Sequence, residues 1–347
     1  MIYLAWIVAF IASILLTPLV KRLAYRVGAV DRPNYRKVHA NIMPRLGGLA
    51  IFLAFLIGVF IYRPMNPALI PLLIGSFIII VTGVLDDIFE ISAKAKLLGQ
   101  FIAAIIVVFF GGIQIDFINL PFDGMLNFGF LSIPLTIIWI VGITNAINLI
   151  DGLDGLAAGV STISLITLAG MAFIMGNTFV IIMATLLAVS TLGFLFYNFH
   201  PAKIFMGDTG ALFLGFMISV LALLGFKGVT FISLIIPIIM LGVPISDTFF
   251  AIVRRLLNKQ PPFSPDKSHL HHCLLNVGFT HRQTVLIIYG IASMFGLAAI
   301  TFSMAKIWGG ILLITVLLVA IELFVEVIGL AGSNYRPLLN LVRNNKK

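Results

Sequence analysis

Eleven mostly apolar runs fill this 347-residue chain and leave only short polar stretches between them. They cover 2–20, 47–62, 68–85, 97–111, 132–147, 157–175, 178–197, 211–226, 230–252, 284–304 and 307–328. A helix needs roughly 20 such residues to cross a bilayer, and in hydrocarbon only helices and closed barrels satisfy their own backbone. The expected fold is an all-α polytopic membrane protein with about eleven transmembrane helices. Residues 1–330 form one transmembrane domain, followed by a basic tail at 331–347. Only 10% of the residues are charged, against about 25% in a soluble domain. The first run has no basic segment before it and is followed by Lys21 and Arg22, so it reads as a retained helix, not a cleaved signal. The single cysteine, Cys273, excludes an internal disulfide.

The net charge of +9 would in a soluble chain suggest nucleic acid; here the basic residues sit between apolar runs and read as topology, so no nucleic-acid partner is expected. If the loop 21–46 is cytoplasmic, inside loops hold nineteen of the 22 Lys and Arg residues, and only Arg63, Lys227 and Lys306 fall outside. The positive-inside rule supports that orientation. The N-terminus is then outside and the C-terminus cytoplasmic. Residues 113–131 alternate and then show turn signals at Pro121 and Asp123-Gly124, which predicts a small β-hairpin on the outer face.

The orientation brings most of the acids to one side. The inside loops are 21–46, 86–96, 145–156, 198–210 and 253–283. They hold Asp86-Asp87, the run Asn145-Ala-Ile-Asn148-Leu-Ile-Asp151-Gly152-Leu153-Asp154-Gly155, the run Phe205-Met-Gly207-Asp208, and His269, His271 and His272. Of the aspartates, only Asp116 and Asp123 fall outside. Ionisable groups at a membrane boundary are costly and tend to mark a substrate or ion site.

Each feature also has a purely structural alternative. Asp86-Asp87 can be a solvated helix end, although the macrodipole disfavours negative charge there. Adjacent residues point about 100° apart on a helix, so the pair can serve two partners. Asn148, Asp151 and Asp154 are spaced i,i+3 and share a face if helical, and their oxygens suit Mg²⁺; as a cap, Asn and Asp would do equally well. Asp208 alone is a fair N-cap. Three histidines near Lys267 and Arg254-Arg255 fit a phosphate site better than zinc, for which no second ligand pair is present. Glu322 and Glu326 lie i,i+4 in the last run with no role assigned. A transporter would place its acids near mid-membrane, often in repeats; here they cluster in loops on one face.

Together these motifs resemble the polyprenyl-phosphate N-acetylhexosamine-1-phosphate transferases, over nearly the whole chain and in the same order. The stretch Ser264-Pro-Asp-Lys-Ser-His269-Leu-His271-His272 and the first loop, with His39 and Arg45, look like the N-acetylglucosamine branch of that family, whose enzymes start teichoic acid, common antigen and O-antigen synthesis. The resemblance implies UDP-GlcNAc as donor, undecaprenyl phosphate as acceptor, and Mg²⁺, replaceable by Mn²⁺, as cofactor. It implies a bacterial inner membrane location with a cytoplasmic active site. A homodimer stays open, since no residue pattern specifies its contact.

The resemblance also distributes roles. Asp208 and Asn148 are the implied metal ligands, with Asp151 nearby. Asp86, Asp87 and Asp208 are the implied catalytic acids. Gly152, Leu153 and Asp154 resemble the uridine-binding stretch, with Phe205 placed to stack on uracil. His269, His271 and His272 resemble pyrophosphate contacts, and Arg45 and His39 join them in the nucleotide-sugar site. Lys94 and Lys96 are candidates for the lipid phosphate; topology explains them equally well.

Overall fold

The computed structural model describes residues 1–32, 42–119, 124–225, 231–257, 259, 269–330, 335, 337–338 and 340. His39 and part of the tail therefore lie outside the described residues. Among those described there are thirteen α-helices and two short antiparallel strand pairs. The chain divides into two compact units, Met1–Ile235 and Ile236–Lys347.

The first unit holds α1 (Ile2–Val27), α2 (Gly47–Tyr62), α3 (Leu69–Phe89), α4 (Ala93–Gly111), α5 (Ser132–Leu149), α6 (Leu156–Ile174), α7 (Thr178–Asn198) and α8 (Gly207–Gly225). All but α2 are long and apolar enough to cross a membrane. Every residue of α8 from Thr209 to Leu223 is buried. A helix apolar on all sides has to be enclosed, and α8 is, by α2, α3, α5 and α6. On α1, Tyr3, Ile7, Ile11 and Leu15 instead point outward, as apolar side chains in contact with lipid should.

Two glycines allow α2 and α3 to meet the start of α8 backbone to backbone. A Cβ on Gly48 would lie 2.0 Å from the Gly210 nitrogen, and one on Gly83 would lie 2.4 Å from the Thr209 Cα. In a membrane, where helix association depends on close packing, small residues are the means to it.

The strand pairs are β1 (Val30–Asp31) with β2 (Met43–Pro44), and β3 (Phe117–Asn119) with β4 (Met125–Asn127). The second pair is the hairpin expected in 113–131; its turn residues Pro121 and Asp123 lie outside the described residues.

The expected ninth span, 230–252, is not one helix. It breaks at Leu241 into α9 (Phe231–Met240) and α10 (Gly242–Leu257). Pro244 has no N–H for the Met240 carbonyl and its ring crowds that carbonyl, whereas in the first turn of a new helix it fits. The second unit continues with α11 (Leu270–Val277), α12 (His281–Met304) and α13 (Ile307–Ile328). The short α11 was not expected. Thr280 and Gln283 form a capping box that starts α12. On α13, Trp308, Leu312 and Val316 point outward. Glu326 turns inward, is fully buried, and accepts the backbone N–H of Leu338 at 2.7 Å.

Candidate active site

The two adjacent acids at the end of α3 face different partners. Asp87 accepts the backbone N–H groups of Asp208 and Thr209, each at 3.0 Å, and the Thr209 hydroxyl at 2.6 Å. These N–H groups belong to the first turn of α8, where no helical partner exists. Asp87 therefore caps α8 from another helix, and its negative charge meets the positive end of the α8 dipole. Gly207, at φ 71°, makes the tight entry, and its α-carbon is so close to the Asp87 carboxylate that a Cβ would lie 2.5 Å from one oxygen.

Asp86 turns instead toward α4. Its carboxylate lies 2.8 Å from the Lys96 ammonium, and the same ammonium is 2.6 Å from Asp208. Asp86 and the Asn148 side chain both lie beside Asp208. Asp208 is inside the first turn of α8, not its cap. Four residues from α3, α4, α5 and α8 thus converge on one point.

The helical face expected over Asn148, Asp151 and Asp154 does not form. Helix α5 ends at Leu149, and a turn carries the chain to α6. Gly155 takes a left-handed φ of 77°, which stops a helix from running through. Its N–H donates to Asn198 at 3.1 Å, and the Asn198 amide in turn donates to the Ile204 carbonyl at 3.0 Å. The turn is thereby fixed to the loop that leads into α8. Asp151 lies in it, and its pKa is pushed up to about 7 by burial and then by the like charges of Asp208 and Asp154. Asp154 is committed to His200, 2.8 Å from Nδ1, and to the Ala202 N–H at 3.1 Å. Leu153 is buried in the same turn and Gly152 is exposed. Asn145 donates to Gln100 of α4 at 2.6 Å.

The donor set fits a hard divalent cation. Asp86 and Asp208 already converge on one positive charge, the Lys96 ammonium. Asn148 adds an amide and Asp151 a further carboxylate near Asp208. Carboxylate and amide oxygens of this kind suit Mg²⁺ or Mn²⁺.

Residues 44–48 lie against the entry to α8. Arg45 pairs in parallel with Phe205, whose N–H donates to the Pro44 carbonyl at 2.8 Å. The N–H groups of Gly47 and Gly48 donate to Phe205 and Met206. The Arg45 guanidinium donates to Glu90 at 2.9 Å and to the Asp87 carbonyl at 3.1 Å. It therefore braces the end of α3. Phe205 is half-buried beside it, and Lys94 is exposed on the first turn of α4.

In the second unit, His269, His271 and His272 stand at the start of α11. His269 and His271 are stacked at 6.1 Å, and His271 and His272 lie 4.2 Å apart. Burial and then the neighbouring His272 push the His271 pKa down to about 3. Asp247 of α10 meets His269.

Sequence reasoning assigned no part to Asn198, Gln100 or His200. Asn198 and His200 sit where an apolar run meets a Pro-containing loop, a pattern that ordinary caps share. Gln100 was legible only as a polar residue inside an apolar run.

Residues 69–226 match the family described as glycosyl transferase family 4. The chain is 51% identical over 341 residues to the probable undecaprenyl-phosphate N-acetylglucosaminyl 1-phosphate transferase of Bacillus subtilis (strain 168), a match covering 97% of this chain and 94% of the relative. It is 33% identical over 375 residues to the decaprenyl-phosphate N-acetylglucosaminephosphotransferase of Mycobacterium tuberculosis (strain ATCC 25618 / H37Rv), covering 97% and 92%. It is 28% identical over 281 residues to the undecaprenyl-phosphate alpha-N-acetylglucosaminyl 1-phosphate transferase of Salmonella typhi, covering 78% and 75%.

Proposed function

The chain belongs to glycosyl transferase family 4, and on that footing we propose that it transfers N-acetylglucosamine 1-phosphate from UDP-GlcNAc to undecaprenyl phosphate. UMP leaves, and undecaprenyl-pyrophosphoryl-GlcNAc remains in the membrane as the first lipid-linked intermediate of an envelope polysaccharide. The observation that carries the reading is the convergence of Asp86, Lys96, Asn148 and Asp208. The reacting end of a membrane lipid and a water-soluble nucleotide sugar can meet only at the interface. The distribution of Lys and Arg favours the cytoplasmic side of the inner membrane for that meeting.

In this reaction an oxygen of the lipid phosphate attacks the phosphorus that carries the sugar. The bond from that phosphorus to the bridging oxygen breaks, and the oxygen leaves with UMP. Such transfers depend on positioning and charge neutralisation more than on covalent help. A phosphate monoester has a second pKa near 6, so the attacking group is largely dianionic at neutral pH and needs no strong base. Asp208, Asn148 and Asp151 are the residues to hold Mg²⁺ or Mn²⁺, which when bound would neutralise pyrophosphate charge and template the two substrates.

The protein's own residues supply the rest. Asp87 fixes the backbone from which Asp208 projects. Asp86 and Lys96 set the charge at the centre, and Lys96 is a cation within reach of a phosphate. Gly152, Leu153 and Asp154 line the turn that the family resemblance gives to uridine, with Phe205 as the stacking surface and Arg45 as the brace beneath. His269, His271 and His272 are assigned to the pyrophosphate on the same ground.

UMP release by protein purified in detergent tests the reading, with undecaprenyl phosphate and Mg²⁺ each omitted in turn. The expected result is release that needs both, with UDP-GlcNAc preferred over UDP-GalNAc and UDP-MurNAc-pentapeptide. Release only with another donor would overturn the sugar assignment. No release with any donor, from folded protein, would overturn the transferase assignment.

A further inference from the structure

Asp247 has no part in the site as described so far. It sits on α10 with 1% of its surface exposed, which is a costly place for a carboxylate unless its oxygens are satisfied. Both are. One accepts the backbone N–H of Leu270 at 2.7 Å, and the other lies 2.9 Å from Nδ1 of His269. His269 is the N-cap residue of α11, with an extended backbone, and makes no side-chain cap bond of its own. Asp247 provides that cap from α10.

The contact with the ring goes further than a cap. An ionised carboxylate only accepts hydrogen bonds, so the ring nitrogen facing it must carry the proton. Asp247 thereby fixes the tautomer of His269. The backbone bond to Leu270 fixes where the carboxylate stands relative to the helix that carries the ring. Stacking against His271, with the ring planes 4° from parallel, fixes the ring plane. Nε2 is left as the nitrogen available to a ligand. A carboxylate in this relation to an imidazole also stabilises the imidazolium, the form that donates from Nε2 to an oxyanion.

We propose that Asp247 is a positioning residue: it holds the Nδ1 proton and the ring of His269 so that Nε2, when it too is protonated, donates to a phosphate oxygen. The inference rests on the reading of His269 as a pyrophosphate contact. Asp247→Asn is the discriminating variant. Its oxygen can keep the Leu270 cap, but its amide then faces Nδ1 and requires that nitrogen to accept, so Nε2 donates only as part of a neutral ring and the charged donor is lost.

Histidine-¹⁵N-labelled protein in detergent would be compared as wild type, Asp247→Asn, Asp247→Glu, His269→Gln and the double variant Asp247→Asn/His269→Gln. The ¹⁵N spectrum reads the tautomer of His269, and titration with inorganic pyrophosphate reads the response of Nε2. UMP release reads kcat and KM, and the thermal midpoint reads folding. In Asp247→Asn the proton should move from Nδ1 to Nε2 with the midpoint nearly unchanged. kcat/KM should fall roughly 10- to 100-fold, as for other carboxylate partners of functional histidines. Asp247→Glu should recover part of that loss, and in the His269→Gln background Asp247→Asn should cost little more.

Normal kcat/KM in Asp247→Asn, or the same further loss with His269 already replaced, would overturn the positioning role and leave Asp247 as a helix cap. Unchanged turnover in His269→Gln would overturn it too, together with the pyrophosphate assignment of His269. If the wild type releases no UMP from any donor, the transferase reading fails by itself. The positioning role then stands if pyrophosphate brings a proton to Nε2 while Nδ1 keeps its own in the wild type and not in Asp247→Asn, and falls if it does not.

Discussion

The carboxylate of Asp87 caps the helix that carries Asp208, accepting the Asp208 backbone N–H at 3.0 Å. Its neighbour Asp86 takes no part in that cap and lies 2.8 Å from the Lys96 ammonium. One acid therefore fixes backbone while the other contributes charge to the centre. The two differ by a single step along α3, and the helical turn between them sends them to different partners.

Separate consequences for stability and turnover follow from this division. Asp87→Ala leaves the N–H groups of Asp208 and Thr209 and the Thr209 hydroxyl without their acceptor, in a buried place. The expected cost is about 1–3 kcal/mol, read as a lower thermal midpoint in detergent, with turnover lost as well. Asp86→Asn is expected to keep a near wild-type midpoint and to lower UMP release by roughly 100-fold, the scale seen when one preorganised electrostatic group is removed. Equal losses of midpoint in both variants would contradict the division.

Lys96 and Asp208 should behave as a coupled pair. The ammonium is 2.6 Å from Asp208 and 2.8 Å from Asp86, so its removal leaves two carboxylates facing one another. Lys96→Met, Asp208→Asn and the double variant form a cycle. Contacting residues of one network give interaction energies of about 0.5–3 kcal/mol. The stability of the double variant should therefore exceed the sum expected from the singles. Additive effects in chemical denaturation would mean that the contact contributes nothing to the folded state.

How much of this was legible in the sequence depends on the kind of information. The apolar runs predicted α2 to α8 to within about four residues at each end, because hydrocarbon thickness sets length, whereas α1 continues seven residues past its run, to Val27. The break at Leu241 was not predicted. Hydropathy summed over 230–252 cannot register that Pro244 starts a helix instead of sitting inside one. The i,i+3 reading of Asn148, Asp151 and Asp154 assumed that the helix continued, whereas Gly155 and its bond to Asn198 turn the chain. The 100° between Asp86 and Asp87 showed that two partners were available, but not which. Choosing them required the first turn of α8 and the side chain of Lys96, which are more than a hundred residues apart in sequence. Arg45 reads as a substrate contact by resemblance; that its guanidinium also donates to Glu90 and to the Asp87 carbonyl was not legible in the sequence.

Acid should weaken the fold through His271. Burial and then His272 hold its pKa down to about 3, with His269 and His281 acting in the same direction and Asp247 opposing. In the unfolded chain the same ring takes up its proton near pH 6.5. Above that pH neither state binds the proton, and the histidine makes no pH-dependent contribution. Below it only the unfolded chain does, so stability falls as the pH drops from about 6.5 toward 3, by up to about 1.4 kcal/mol per unit. His271→Gln removes this slope. Thermal midpoints between pH 6.5 and 5 should fall more steeply for the wild type than for the variant, and parallel curves would rule His271 out as the source.

Gly48 and Gly142 provide a matched test of the backbone contact at the start of α8. A Cβ on Gly48 would lie 2.0 Å from the Gly210 nitrogen and 2.1 Å from its α-carbon, whereas one on Gly142 meets nothing within 4 Å. Backbone cannot move aside as a flexible side chain can, so Gly48→Ala must push α2 away from α8. That shift also strains the bonds by which Gly47 and Gly48 hold Phe205 and Met206, directly before Asp208. The expected cost is about 1–3 kcal/mol, together with a large loss of UMP release. Gly142→Ala sits mid-helix in α5 and should be neutral or stabilise by up to about 1 kcal/mol through helix propensity. Thermal midpoints and turnover measured side by side decide it: equal behaviour of the two variants would mean that α2 and α8 are not in backbone contact.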